Sequence, residues 1–333
     1  MKAIFVTAAG GPEVLQLRDA ETPQIKGAHE VQVKLHAAGV NPVDTKLRAK
    51  NGYYPNAHPF IPGCDGAGVV EAVGGAVTRV KPGDEVYFCH GGIGAAPGNY
   101  AEYAVLHQDY CAMKPANLNM TQAAAVPLVL ITAWEALFER AQLQAGETVL
   151  IHAAAGGVGH VAVQLAKQRG ARVIATVSSA EKAAFAQTLG AEKTIHYQQQ
   201  DFVEAVLNWT QGRGADVALD TVGGETFCKS FGAAKVYGRV VTLLQSACES
   251  AQTALARSRN LSIAYTLMLT PMFYGMHDAL VAQRKILEAG AKLIEAGKLK
   301  ISVSQTLPLA QAAEAHRLIE AGHTTGKIVL RIS

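Results

Sequence analysis

The spacing of apolar residues along the chain changes near residue 120. Before that point, segments 2–7, 14–18, 30–40 and 68–73 alternate or run apolar, with Gly and Pro between them. This pattern is typical of β-strands joined by turns. Afterwards, short apolar runs alternate with stretches of helical periodicity. The first of these stretches predicts a helix over 121–140 that begins at a threonine cap.

Six apolar runs follow that helix, and each is separated from the next by a helical segment. The runs cover 148–153, 172–177, 193–196, 216–220, 239–244 and 261–267. Strands that alternate with helical crossovers form a doubly wound parallel sheet, so an α/β fold is predicted. A helix at 279–295, a strand at 300–307, a helix at 309–320 and a strand at 326–331 are expected to return to the β-rich first region.

A glycine cluster follows the first of these six strands and precedes a predicted helix over 158–169. Such a strand, turn and helix place backbone amides and the positive helix end against a nucleotide pyrophosphate. Ala154 stands at the first glycine position of the G-x-G-x-x-G pattern, so the order of elements carries much of the interpretation. The predicted phosphate-binding residues are Ala155, Gly156, Gly157, Val158 and Gly159.

The end of the second strand indicates which dinucleotide is bound. No carboxylate stands there to hold a ribose 2'-hydroxyl, and Ser178 and Lys182 are found instead. A hydroxyl and an ammonium suit a 2'-phosphate, which favours NADPH over NADH. Lys182 as a solvated helix residue paired with Glu181 is the alternative interpretation.

Composition narrows the class of protein. The 333 residues are 49% hydrophobic and 17% charged, with a net charge of +3, which indicates a folded chain large enough for two cores. No basic run suggests nucleic acid, and no apolar run suggests a membrane span, so a cytoplasmic protein is expected. The five cysteines lack C-x-x-C spacing and are expected to be reduced thiols.

Several motifs resemble the medium-chain dehydrogenase/reductase superfamily, and specifically its zinc-independent quinone oxidoreductase branch, the zeta-crystallin type. The motifs are GGPEVL at 10–15, GVNPVD at 39–44, PGCDGAG at 62–68 and TGK at 325–327. The resemblance implies a GroES-like catalytic domain at 1–123 and 269–333, an inserted Rossmann domain at 124–268, and an active site in the cleft between them.

The same resemblance bears on zinc. Catalytic zinc needs three protein ligands, commonly thiolates and an imidazole. At the matching positions the chain has Asn41 in place of a cysteine and Cys64 in place of a histidine, so no metal site is expected. Cys64 is interpreted as a small buried hydrophobe, and a thiol sensitive to electrophiles is the alternative.

The resemblance also implies individual roles. Asn41 and Tyr54 are expected beside the nicotinamide as donors to the oxygen on which negative charge develops, with Thr132 nearby. Tyr197 is expected near the adenosine phosphate, and Lys327 at the pyrophosphate. Val222 and Gln245 are expected to border the cofactor because both follow carboxyl ends of strands.

The predicted reaction is hydride transfer from NADPH to a quinone or another conjugated carbonyl acceptor, such as an enone. One alternative is a 2-alkenal or enoyl reductase. An alternative of another class is a non-catalytic NADPH-binding protein that acts through a partner. The apolar segment 267–274 suggests an apolar acceptor, and the apolar edge strand at 261–267 predicts a homodimer of Rossmann domains. No nucleic-acid or membrane partner is expected.

Overall fold

The computed structural model describes residues 1–50, 53–54 and 57–332. The chain forms two compact units. Unit 1 combines Met1–Ile131 with Leu269–Ser333, and unit 2 is Thr132–Met268. The sequence predicts changes of domain after residues 123 and 268, whereas the two units divide after Ile131 and after Met268.

The strands are numbered in chain order over the described residues. They are β1 (Lys2–Val6), β2 (Leu15–Asp19), β3 (Glu30–Val40), β4 (Asp65–Val73), β5 (Glu85–Cys89), β6 (Tyr103–His107), β7 (Cys111–Met113), β8 (Thr148–Ile151), β9 (Arg172–Val177), β10 (Lys193–His196), β11 (Ala215–Asp220), β12 (Ala234–Thr242), β13 (Ser262–Tyr265), β14 (Val303–Pro308) and β15 (Lys327–Arg331).

The helices are numbered in the same way. They are α1 (Pro42–Ala49), α2 (Met120–Ala124), α3 (Pro127–Trp134), α4 (Gly157–Gln168), α5 (Ala180–Leu189), α6 (Phe202–Trp209), α7 (Gly224–Ala233), α8 (Ser250–Ser258), α9 (Thr270–Phe273), α10 (His277–Glu295) and α11 (Ala312–Ala321). Short 3-10 turns lie at Pro12–Val14, Gln108–Tyr110 and Leu309–Gln311, and a π-helical segment at Glu135–Arg140 continues α3.

Unit 2 contains a parallel sheet with the strand order β10-β9-β8-β11-β12-β13. The order reverses direction next to β8, as expected for a doubly wound sheet. Apolar residues from the strands and from the covering helices form its core, because a parallel sheet buries both faces. Members of this core include Leu150, Ile174, Ile195, Phe202, Phe227, Phe231 and Val240. The predicted Rossmann fold is confirmed.

Unit 1 contains a second, mostly antiparallel sheet in its described part. Its strands run in the order β14-β15-β3-β4-β5-β7, and β6 also pairs with β3. The long strand β3 lies between β15 and β4, where Val40 faces Ile328 and Gly39 faces Asp65. This register brings the start of β15, the end of β3 and the start of β4 to one place in unit 1.

The predicted single helix over 121–140 is wrong. Asn119, not a threonine, caps α2: its side chain accepts from the Gln122 N–H at 2.8 Å, and the Gln122 side chain accepts from the Asn119 N–H at 3.1 Å. The helix then stops before Pro127, because proline lacks an N–H and restricts the preceding Val126. A new helix, α3, begins at Pro127.

Candidate functional site

The carboxyl edge of the unit 2 sheet collects most of the predicted cofactor residues. All of its strands are parallel, so their carboxyl ends lie along one edge. Reading from β10 towards β12, this edge carries Tyr197, then Ser178 with Lys182, then the glycine turn, then Val222, and finally Gln245. The row has the order of the parts of an extended dinucleotide, from the adenosine phosphate to the nicotinamide.

The glycine turn connects β8 to α4. Helix α4 begins at Gly157 with Gly156 as its N-cap, so the first amides of the helix lie at this turn. A Cβ added to Gly159 would lie 2.3 Å from the carbonyl oxygen of Ala153. Glycine is therefore required for the close packing of α4 against the turn. Ala153 itself has a left-handed φ of 47°, a conformation that favours glycine.

The end of β9 carries Ser178 and Lys182, which are predicted for the 2'-phosphate, and the end of β10 carries Tyr197, which is predicted near the adenosine phosphate. Ser179 caps α5, and its side chain accepts from the Lys182 N–H at 3.2 Å. The cap places Lys182 in the first turn of α5, where the positive helix end also favours an anion. Lys182 is half-buried and the Tyr197 ring is exposed, so both can contact a ligand at this end of the edge.

A buried carboxylate that the sequence analysis missed shapes the other end of the edge. Asp220, the last residue of β11, accepts from the Thr242 hydroxyl at 2.6 Å and from the N–H groups of Val222 and Gly223 at 3.0 and 2.9 Å. These bonds join the turns after β11 and β12. Val222 and the exposed Gln245 are thus presented by turns held together through Asp220. In the sequence, the feature that indicates this carboxylate is an aspartate at the end of a predicted strand, two residues before Val222.

Thr132 lies within α3 and is buried, with 5% of its surface exposed. Its predicted contact with the nicotinamide stays a prediction. The residues around it in α3 are almost all apolar, which is typical of a helix enclosed in a core.

His152 stands between β8 and the glycine turn and is fully enclosed. Its Nε2 lies 3.0 Å from the Ser230 hydroxyl, which donates onward to the Thr226 carbonyl oxygen at 2.7 Å. Nε2 therefore carries the proton, and Nδ1 accepts from the Thr176 hydroxyl at 3.2 Å. Burial lowers the pKa of His152 to about 4, so the ring is neutral in the folded protein.

This neutral imidazole should make folding sensitive to pH. An unfolded histidine titrates near pH 6.5, so between pH 6.5 and about 4 the unfolded chain binds a proton that folded His152 does not. Above pH 6.5 the titration of His152 takes almost nothing from the free energy of unfolding. As the pH falls below 6.5, the free energy of unfolding declines. In urea unfolding, we expect the wild type to lose about 2 kcal/mol more than His152→Gln between pH 6.5 and 5. Equal losses would show that His152 titrates normally in the fold.

Three side chains form a buried cluster in unit 1, where the ends of β15, β3 and β4 meet. Lys327 Nζ donates to Asn41 Oδ1 and, at 2.9 Å, to the Val40 carbonyl oxygen. Asn41 Nδ2 donates to Asp65 Oδ2 at 2.9 Å, and the Lys327 ammonium lies 3.6 Å from the same oxygen. Because lysine only donates and a carboxylate only accepts, the orientation of the carboxamide is determined.

Burial opposes both charges of this cluster. It raises the pKa of Asp65, and the Lys327 ammonium counteracts part of that change. It also lowers the pKa of Lys327, and the carboxylates of Asp65 and Asp44 counteract that change. The Leu128 N–H adds a bond of 2.8 Å to Asp65 Oδ1. The cluster is therefore an ion pair bridged by the Asn41 amide.

Asp44 extends the buried polar region and was also missed. It is the third residue of α1, and its Oδ2 accepts from the Asn41 N–H at 2.8 Å and the Tyr100 hydroxyl at 3.2 Å. Burial raises the pKa of Asp44 to about 7, although the Asn41 N–H opposes this shift. The sequence motif N-P-x-D predicts the position of Asp44, because asparagine, proline and an acidic residue in this spacing are typical of the start of a helix.

The predicted role of Lys327 at the pyrophosphate stays a prediction. Only 2% of Lys327 is exposed, and its ammonium is bonded to Val40 and Asn41 within unit 1. Its position follows from the pairing of β15 with β3, which the sequence could not show. Asn41 is likewise fully buried, so its predicted contact with an acceptor requires local movement.

Tyr54 has a hydrogen-bond partner within unit 1. Its hydroxyl donates to the Phe273 carbonyl oxygen at 3.1 Å, and its ring packs on the Phe273 ring with centroids 5.5 Å apart. A phenol has one proton, and this bond uses it. The predicted role of Tyr54 as a donor to the acceptor stays a prediction, and it requires the hydroxyl to leave the Phe273 oxygen. The ring remains part of an aromatic surface with Tyr53 and Tyr274.

Cys64 behaves as the small buried residue that was expected. The Cys89 thiol beside it lowers its pKa, but burial and the carboxylates of Asp44 and Asp65 outweigh this and raise the pKa overall. A thiol held in this way is a poor nucleophile and a poor metal ligand. Across residues 1–50, 53–54 and 57–332, no group of three His, Cys, Asp or Glu side chains is arranged to hold a metal ion.

The prediction that all five cysteines are reduced thiols is wrong. Cys228 of α7 and Cys248, in the loop after β12, form a disulfide with their Cα atoms 5.6 Å apart. Their separation of 20 residues has no motif, and the fold of unit 2 alone brings them within bonding distance. Cys64, Cys89 and Cys111 are free and buried.

In the described part of the chain, no helix is sufficiently long and apolar to cross a membrane. Two family models match: "Alcohol dehydrogenase GroES-like domain" over residues 27–116 and "Zinc-binding dehydrogenase" over residues 189–330. The first match lies in the β-rich unit 1, and the second covers residues 189–268 of unit 2 and most of the C-terminal part of unit 1.

Proteins similar to this chain match it over its whole length. A quinone oxidoreductase of Pseudomonas aeruginosa is 38% identical over 333 residues and covers 99% of both chains. The crystal structure of Escherichia coli quinone oxidoreductase complexed with NADPH superposes with a TM-score of 0.88, at 31% identity and 100% coverage of both chains. A structure of an NAD-dependent alcohol dehydrogenase gives a TM-score of 0.90 at 35% identity, also with full coverage. The chain belongs to the quinone oxidoreductase branch of the medium-chain dehydrogenase/reductase superfamily.

Proposed function

We propose that the protein is a zinc-independent, NADPH-dependent reductase that transfers hydride to a quinone or another conjugated carbonyl compound. The observation that carries this proposal is the ordered row along the carboxyl edge of the unit 2 sheet. There a basic strand end, a glycine turn at a helix N-terminus and two further turns follow one another. The quinone oxidoreductase relatives support the same reaction class.

The residues fit NADPH in particular. Lys182 and Ser178 stand where a 2'-phosphate would lie, and neither residue carries a negative charge that would repel it. The amides of Gly157 and Val158, at the start of α4, suit the pyrophosphate. When bound, NADPH supplies the hydride. The similar structure complexed with NADPH supports this choice, whereas the NAD-dependent relative makes a direct comparison of the two cofactors necessary.

Independence from zinc rests on the chemistry of the buried cluster. Asn41 stands where the resemblance places a cysteine ligand, and its oxygen is bonded to the Lys327 ammonium. A dication near this ammonium would be repelled, and the neighbouring Cys64 thiol resists deprotonation because its pKa is raised. The residues therefore do not fit a catalytic zinc ion, despite the name of one matching family model.

Quinones and enones need little activation, because they already accept hydride at an electrophilic carbon. The protein has to orient the acceptor, exclude water and stabilise the negative charge that develops on the conjugated oxygen. We assign the second N–H of Asn41 Nδ2 to that charge, since Asp65 takes the first and Lys327 holds the oxygen end. A local opening has to expose Asn41 to the acceptor. The proton for the product then comes from solvent.

An aromatic surface in unit 1 favours a flat, apolar acceptor. Tyr53, Tyr54 and Tyr274 surround Phe273, with ring centroids 4.8 to 5.5 Å apart, and Tyr274 is 70% exposed. Rings of this kind stack on planar ligands. This surface favours quinones over short alkenals, and the 2-alkenal or enoyl reductase remains the second candidate.

The test is oxidation of NADPH and NADH, followed at 340 nm, with a benzoquinone, a naphthoquinone, an alkenal and an enoyl thioester, each with and without a chelator. We expect NADPH to be consumed with quinones, and the chelator to have no effect. Faster turnover of the alkenal or thioester would favour the second candidate. Alcohol oxidation that the chelator abolishes would refute zinc independence. Cofactor binding with no turnover would favour a partner-binding protein.

We also propose a homodimer that forms through β13, the edge strand of the unit 2 sheet. Ile263 and Tyr265 of β13 are 43% and 56% exposed, and Leu267, two residues after the strand, is 49% exposed. An exposed apolar edge favours pairing with a second copy. In sedimentation velocity, we expect Ile263→Lys to shift the protein from dimer to monomer. The control is Leu17→Lys on β2 of unit 1, where the leucine is 44% exposed. A wild-type monomer, or a dimer that survives in Ile263→Lys, would contradict the proposal.

A further inference from the structure

We propose that Cys228 and Cys248 form a reversible thiol–disulfide site that controls the affinity of unit 2 for NADPH. This inference rests on the proposed function, because it takes the carboxyl edge of the sheet as the cofactor site. The disulfide connects the second turn of α7 to the loop 243–249 that follows β12. Both connected segments follow directly on turns of that edge.

The two cysteines lie just behind the turns that border the predicted nicotinamide end. Helix α7 begins at Gly224, two residues after Val222, and Cys228 lies four residues further along the chain. Cys248 lies three residues after Gln245. The disulfide thus joins the segments that carry Val222 and Gln245, the last two members of the row.

The first half of the loop is held by hydrogen bonds. The Leu243 N–H donates to the Asp220 carbonyl oxygen at 3.1 Å, and the Gly224 N–H donates to the Ser246 hydroxyl at 2.7 Å. At its far end, the Glu249 N–H bonds to Gln252, where α8 begins. Between Ser246 and Glu249, the disulfide at Cys248 connects the loop covalently to α7.

Reduction should loosen the loop without unfolding unit 2. Cys228 is buried and belongs to the core cluster with Phe227 and Phe231, while Cys248 packs against this cluster from the loop. After reduction both side chains remain small apolar groups in the same environment. The hydrogen bond between Gly224 and Ser246 also remains. Reduction therefore removes the constraint that the disulfide places on the second half of the loop.

The reaction is thiol–disulfide exchange with a dithiol reductant. One thiolate of the reductant attacks a sulfur of the disulfide and forms a mixed disulfide, and the other cysteine leaves as a thiolate. The second thiol of the reductant then closes its own disulfide and releases the second cysteine. Two electrons and two protons pass from the reductant to Cys228 and Cys248. Cys248 is partly exposed whereas Cys228 is buried, so we expect the first attack at Cys248.

The effect on affinity follows from ordering the loop. When the disulfide is absent, NADPH bound beside Gln245 has to order the adjoining residues 247 and 248 again, and the conformational entropy lost in this ordering opposes binding. We therefore expect the Kd for NADPH to rise about tenfold on reduction. Oxidation with glutathione disulfide should restore the original value.

The experiment measures the Kd for NADPH by fluorescence on the full chain, before and after dithiothreitol. Intact mass and thiol counting identify each state, and circular dichroism checks that the fold is retained. We expect the oxidised wild type to bind about tenfold more tightly than the reduced form, and Cys228→Ser/Cys248→Ser to bind like the reduced form in either buffer. Cys111→Ser, at a free buried cysteine, is the control that keeps the response.

The outcomes separate this inference from the proposed function. Equal Kd values for the oxidised and reduced wild type would overturn the thiol–disulfide site and leave the reductase intact. Purified protein that holds five free thiols, even after glutathione disulfide, would overturn it as well. If neither form binds NADPH, the proposed function fails, and the thiol–disulfide site fails with it.

Discussion

Replacing Gly159 with alanine is expected to abolish NADPH binding and to lower the melting temperature of unit 2 by about 10 °C. The added Cβ would lie 2.3 Å from the Ala153 carbonyl oxygen and 2.8 Å from the Ala154 Cα, and both are backbone atoms that cannot rotate away. The turn or α4 has to shift, at a cost of about 3 kcal/mol. That shift also displaces the amides that face the pyrophosphate. Differential scanning calorimetry and NADPH fluorescence measure the two effects.

Gly156→Ala is the matched control in the same turn. Its added Cβ would approach the Ala153 oxygen only to 3.2 Å, and Gly156 has a φ of −77° that alanine adopts easily. We expect it to retain the melting temperature and to weaken NADPH binding through crowding at the helix N-cap. If Gly159→Ala kept both its melting temperature and its NADPH affinity, the close packing of α4 on the turn would be disproved.

The second large effect concerns the choice of cofactor. Lys182→Ala is expected to raise the KM for NADPH about 10- to 100-fold and to leave the KM for NADH unchanged. A hydrogen bond to a charged group contributes about 1.5–3 kcal/mol, and only the 2'-phosphate of NADPH makes this contact. Lys182 is placed for it in the first turn of α5, directly after the end of β9. Steady-state kinetics with each cofactor and one quinone measure the ratio.

Lys193→Ala controls for the loss of a positive charge from the same unit. Lys193 begins β10 and therefore lies at the amino edge of the parallel sheet, opposite the cofactor row. It should leave both KM values unchanged. Parallel losses for NADPH and NADH in Lys182→Ala would mean that the lysine contacts a part common to both cofactors, and the basis for the NADPH preference would have to be sought elsewhere.

Local sequence patterns predict an element correctly where the residues that determine it lie close together in the chain. The strand β9 was predicted with its observed limits, because its apolar run is bounded by Gly170 on one side and by serines on the other. The glycine turn was found because strand, turn and helix follow one another directly. Pro127 shows the limit of this approach, since helical periodicity continues through the residue at which the helix actually restarts.

Sequence alone determined the doubly wound sheet, the glycine turn before α4 and the basic character of the β9 end, because each depends on neighbours within about twenty residues. Tertiary structure decided where distant polar groups meet. Lys327 and Asn41 are joined across 286 positions by the pairing of β15 with β3, and Cys228 meets Cys248 through the packing of α7 beside β12. Hydrogen bonds and disulfides require contact within a few ångströms, and only the folded chain determines which residues reach it.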